Sequence, residues 1–70
     1  MLFNSKKLRQ LRMDKGYSLA QMARLLYVKT GLKVTRNCVS LWEKGKNFPS
    51  LKSLMALAVF YEKGIEFFFK

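Results

Sequence analysis

The residues best equipped for chemistry lie in one run, Val34 to Gly45: Val-Thr-Arg-Asn-Cys-Val-Ser-Leu-Trp-Glu-Lys-Gly. Wound at roughly 100° per residue, Arg36, Asn37, Ser40, Leu41 and Lys44 share one arc of about 140°. Cys38, Val39 and Trp42 fall on the opposite side. One face offers hydrogen bonds, positive charge and a projecting pair of methyl groups. The other offers an anchor for a core. The chemistry open to such a face is recognition, and the run reads as a short helix that lies against DNA; an exposed polar face is also what any surface helix shows, and it is the rest of the chain that favours DNA. Thr35 is a good N-cap, because its hydroxyl can accept an orphan backbone N–H. Val34 and Val39 stand at the positions of a hydrophobic staple. Gly45, preceded by Lys44, is a stop with a cation at the negative end of the helix dipole.

Other chemistries lack their residues. The four carboxylates, Asp14, Glu43, Glu62 and Glu66, are far apart in the chain, and there is no histidine to serve as general base. No glycine-rich phosphate loop is present. One cysteine excludes a disulfide within the chain, and without histidine a zinc site of the usual ligand set is excluded too. An enzyme, a cofactor, a bound metal and a small-molecule substrate are therefore not expected. Charge points the same way as the run. Fourteen Lys+Arg against four Asp+Glu leave a formal +10, which calls for a polyanionic partner. Residues 1–52 carry twelve of the cations and only Asp14 and Glu43 as acids, whereas residues 53–70 balance to zero.

The elements that would position this face are helical. Seventy residues, half of them apolar, suffice for one small domain over 1–70. No stretch alternates with period two, and five helices are expected. The first runs from about Ser5 to Lys15, with Leu8, Leu11 and Arg12 on one face and Lys6, Lys7, Arg9 and Lys15 solvated. Met1, Leu2 and Phe3 are read as either folding back onto the core or forming an untethered terminus. The second starts at Ser18, whose sequence to Gln21 fits a capping box, and buries Leu19, Met22, Ala23 and Leu26. It continues to about Lys29, with Gly31 after it. The third is the run above. The fourth is capped by Ser50 and turns Leu51, Leu54, Leu57, Ala58 and Tyr61 inward. A short turn over Ile65 to Phe69 closes the chain. Gly16, Gly31, Gly45 and Gly64 each end a helical pattern. The start of the chain does not read as a signal peptide, and the longest apolar run, Met55 to Tyr61, is far short of a membrane span. The reading is a cytoplasmic protein without a membrane partner.

The sequence also resembles the lambda-repressor and Cro-like helix-turn-helix family, also called the xenobiotic-response-element type. The resemblance covers about Leu8 to Phe67. It is carried by Leu11-Arg12, Gly16-Tyr17-Ser18, Met22-Ala23, Val34-Thr35-Arg36, the run Val39 to Lys46, Pro49-Ser50-Leu51 and Leu54. It implies an all-α, five-helix DNA-binding domain whose third helix enters the major groove of an operator in double-stranded DNA. It implies base contacts from Thr35, Arg36, Asn37, Ser40 and Leu41. Arginine can pair with guanine and asparagine with adenine, and leucine can meet a thymine methyl. Phosphate contacts are expected from the backbone N–H groups at Ser18 and Leu19, and from Lys33, Lys44, Lys46 and Asn47, with Arg24 and Lys29 nearby. The family also pairs a first-helix arginine with the glutamate that ends the third helix, matched here by Arg12 and Glu43.

Two departures stand out. Relatives often carry glutamine where this chain has Leu19. About six extra residues around Tyr27 to Leu32 extend the connection between helices two and three. In the tail, Phe60, Tyr61, Phe67, Phe68 and Phe69 look too many for so small a core, which assigns some of them to a homodimer interface. A dimer would set two reading helices about 34–36 Å apart. The resulting expectation is a sequence-specific transcriptional repressor of a phage or other mobile element. Its rival is a protein-binding or antitoxin-like module that uses the aromatic tail.

Overall fold

Four side chains set where the helices of the computed structural model begin; residues 3–69 are described. Asn4 Oδ1 accepts the Lys7 N–H at 3.2 Å and opens α1, Ser5–Asp14. Ser18 accepts the Gln21 N–H at 3.1 Å while Gln21 Oε1 accepts the Ser18 N–H at 2.8 Å, a complete capping box at the start of α2, Leu19–Thr30. Thr35 Oγ1 accepts the Cys38 N–H at 3.2 Å and opens α3, Arg36–Glu43. Ser50 Oγ accepts the Ser53 N–H at 3.3 Å and opens α4, Leu51–Tyr61. A 3₁₀-helix, Ile65–Phe69, follows, and the described residues contain no strand.

The stops divide into two kinds. After α3, the Gly45 N–H reaches Trp42 O at 3.2 Å and the Lys46 N–H reaches Leu41 O at 3.0 Å, with Gly45 at φ 72°. This paired closure needs a left-handed residue, which glycine adopts without Cβ strain. α4 departs from the expectation that Gly64 ends it. The left-handed cap is Glu62, at φ 55°, and the φ of Gly64 is not positive.

The helices pack by the faces their spacing dictates. Leu8 of α1, Met22, Ala23 and Leu26 of α2, Val39 and Trp42 of α3, and Leu54, Leu57, Ala58 and Tyr61 of α4 are buried together with Phe68. Leu51 was expected among them and is 69 % exposed. The buried side chains of α4 centre on an arc some 70° away from Leu51 on the helical wheel, and Leu51 also sits in the first turn, beyond the edge of the core. The extra residues between the second and third helices are absorbed differently from the expected long connection. Tyr27 to Thr30 form the last turn of α2, which leaves residues 31–35 to link it to α3.

The tail rings mostly complete the core. Phe68 is fully buried and Tyr61 nearly so; these two cannot form the surface of a dimer and are withdrawn from that role. Phe68 stacks on Phe3 at 6.0 Å between centroids, and Phe60 meets Tyr61 edge-on at 4.8 Å. Phe60, Phe67 and Phe69 are half-buried against the same cluster. Lys7, expected to be solvated, lies over the Phe67 ring at 4.7 Å, with Lys63 also at that ring at 5.1 Å. Met1 and Leu2 lie outside the described residues.

Candidate nucleic-acid interface

α3 is held by its apolar side. Val39 is fully buried and Trp42 nearly so, and Cys38 packs against the same cluster. Its other side faces outward. Thr35, Arg36 and Asn37 are exposed, Leu41 is 37 % exposed, and Ser40 is half-exposed. Arg36 has no ion-pair partner among the described residues. Arg36, Asn37 and Ser40, all able to hydrogen-bond, thus stand on one surface of a helix whose opposite surface is packed into the core.

An ion pair ties that helix to the rest of the fold. Arg12 Nε lies 2.8 Å from Glu43 Oε2, and its Nη2 lies 3.0 Å from Oε1. Nη1 donates to Tyr17 O at 2.8 Å. The fork therefore ties the last residue of α3 to α1 and to the loop before α2. Both side chains are largely out of water, at 15 % and 5 % exposure. The hydrogen bonds to Glu43 hold the guanidinium pKa above its ordinary value, although burial works against this. Behind the pair, the Tyr61 hydroxyl donates to Met22 Sδ at 3.2 Å. Burial pushes this phenol well above its usual pKa, and the charge of Glu43 adds to the effect.

The cations frame the outward face. Lys44, Lys46 and Asn47 follow α3 directly and are exposed, and Lys33 precedes it and is exposed. At the start of α2 the Ser18 hydroxyl is occupied by its cap, so any anion contact there falls to backbone N–H groups. Leu19 turns its side chain partly into the core, as an apolar residue must. The structure adds Arg9, which was read only as a solvated charge. It lines a polar groove with Arg12, Leu19, Ser40, Glu43 and Lys44, between α1, the start of α2 and α3. A second groove brings Lys6 and Arg9 beside Lys44. Its position three residues before Arg12, which places both on one helical face, was the signal available in the sequence.

A short helix pinned from behind, with an outward polar face inside a cationic frame, defines a helix-turn-helix DNA-binding fold. A family profile described as Helix-turn-helix matches residues 8–68. The chain belongs to this lambda-repressor/Cro-like helix-turn-helix family of transcription regulators, whose members bind double-stranded DNA. It is similar to the "HTH-type transcriptional activator BcrR" of Enterococcus faecalis, with 38 % identity over 66 residues. The match covers 94 % of this chain and 29 % of that relative, so the chain spans less than a third of its length. No solved structure matches significantly. No helix among the described residues is long and apolar enough to cross a membrane.

Proposed function

We propose that the chain acts as one helix-turn-helix domain that reads a specific operator with α3 and regulates transcription from it. Thr35, Arg36, Asn37, Ser40 and Leu41 meet base edges in the major groove. The N–H groups at Ser18 and Leu19, together with Lys33, Lys44, Lys46 and Asn47, hold phosphates, and Arg9 joins them. The observation that carries this reading is the exposure of Arg36 and Asn37 on a helix whose far side is fully packed. Repression needs only occupancy of a site that overlaps a promoter, whereas activation needs a further contact with the transcription machinery. Repression is therefore the simpler reading, set against a relative whose name says activator.

The test is selection of bound duplexes from a random pool, followed by two variants on the selected site. Arg36→Ala should lose about 1–3 kcal/mol of discrimination at one base pair. Lys46→Ala should weaken all sequences alike and lower the slope of affinity against salt by about one. If the two variants behave alike across a panel of sites, the division between reading and holding is wrong.

A further inference from the structure

α4 carries a second exposed surface, apart from the cationic frame around α3. Leu51, Met55 and Val59 are 69 %, 54 % and 70 % exposed. Spaced four apart, they form one ridge along the helix. Beside the ridge runs a groove lined by Lys52, Met55, Ala56 and Val59 of α4 and, across from them, by Lys29 and Leu32. Ala56 has the smallest side chain of the six and keeps the groove open. From Lys52 to Val59 the groove extends about 10 Å, two turns of helix. Its lining is mostly apolar, with one cation on each wall, Lys52 from α4 and Lys29 from the end of α2. Lys29 lies over the Phe60 ring at 5.5 Å. Neither α2 nor α4 contains an acidic residue, and no carboxylate pairs with either lysine among the described residues. None of the lining residues belongs to α3 or to the loop after it.

We propose that this groove docks an amphipathic helix of another protein, apolar on the side it buries and acidic along both edges. The backbone selects a helix. α4 satisfies its own N–H and C=O groups, and the described residues contain no strand edge to which an extended peptide adds. What such a surface accepts is a helix packed ridge into groove, with apolar residues repeating every three or four positions. Charge selects the edges. A cation on each wall, with no acid on either helix, is complementary to carboxylates on both sides of the incoming helix. A second copy of the chain brings its own Lys29 and Lys52 against the same two lysines. A flat lipid surface touches the ridge without entering the groove. Met55, unbranched and adaptable, suits a wall that must fit an incoming side chain. Because α3 and its loop lie outside the groove, occupancy there leaves the reading helix free. A protein held in this way on DNA would be the further contact that activation needs. The docking itself requires no DNA and does not rest on the operator reading.

Fluorescence anisotropy of a synthetic peptide tests the groove without DNA. The probe is a helix with leucines at i, i+4 and i+7 and glutamates along both edges. It is titrated with the full chain at about 0.15 M salt, where screening sets in beyond about 8 Å. Lys52→Glu should weaken binding about tenfold or more, and replacing the glutamates of one peptide edge by lysines should recover the loss. Lys46→Glu, the same change of charge on the loop after α3, should alter affinity by no more than about twofold. Val59→Glu, at a site that is open in the free chain, should leave the helical circular dichroism intact and abolish binding. The methyl resonance of Met55 should shift on addition of peptide, while that of Met13, exposed on α1, stays in place. Equal losses from Lys46→Glu and Lys52→Glu overturn the proposal, as does full displacement of the peptide by random duplex. So does a chain that ignores the peptide and instead uses Val59 to self-associate or to hold phosphatidylglycerol vesicles. A chain that holds the peptide but selects no duplex keeps the groove and refutes the operator reading. One that selects a duplex and ignores the peptide does the reverse.

Discussion

Arg12 and Glu43 show how one residue pair can matter more for geometry than for net stability. A buried pair gains little over a well-packed apolar replacement, but removing one partner strands a charge. Arg12→Leu should cost about 3–5 kcal/mol in urea unfolding, and the double change Arg12→Leu/Glu43→Leu should recover most of that loss. Operator affinity should stay low in both, because α3 has lost its tie to α1. A double variant with intact affinity would show that packing alone aims the helix. Tyr61 makes a separate case. Its pKa lies above 10 in the fold and at about 10 in the unfolded chain. Above pH 10 or so the native state keeps a proton that the unfolded chain has released, so stability is full below that pH and falls as pH rises. Thermal melts from pH 9 to 11 should show this extra decline in the wild type and not in Tyr61→Phe. Equal slopes would remove the assigned cause.

At the level of the element, ends were more legible than faces. The caps at Ser18, Thr35 and Ser50 and the closures at Gly16, Gly31 and Gly45 follow from backbone groups within a few residues, and local sequence specifies them. The Arg12–Glu43 contact was available only through family resemblance, since nothing local joins residues 31 apart in sequence. The outward turn of Leu51, the burial of Phe68 and the left-handed Glu62 depend on where α4 meets the other helices. No reading of one helix by its own period contains that information. The closure at Gly45 also places Lys46 and Asn47 beside α3. Gly45→Ala puts a Cβ on a left-handed residue and should cost about 1 kcal/mol. Urea midpoints report that loss. Affinity for random duplex should fall alongside it, as the loop cations shift; unchanged affinity would separate the turn from the phosphate contacts.

For the whole molecule, composition marked the partner class before any geometry: a net +10 on 70 residues suits a polyanion. Charge did not show how a core this small could absorb so many rings. The answer is closure, with the 3₁₀-helix sealing the end of the core under α1. Phe68→Ala should remove about 3–5 kcal/mol, a large part of the roughly 4–10 kcal/mol available to a domain of this length. The variant is expected to be largely unfolded at 37 °C by circular dichroism, and a cooperative melt near that of the wild type would deny the seal its role. The seal includes a backbone bond, Asn4 N–H to Phe68 O at 2.6 Å, and the Lys7 ammonium on Phe67 O at 3.4 Å. The first turn of α1 is thus completed by residues sixty or more positions later. During synthesis on the ribosome, α1 emerges early but waits for the last element before its inner face is covered. The inner face of α1 in the nascent domain therefore stays uncovered at this end until the residues through Phe69 have left the ribosome.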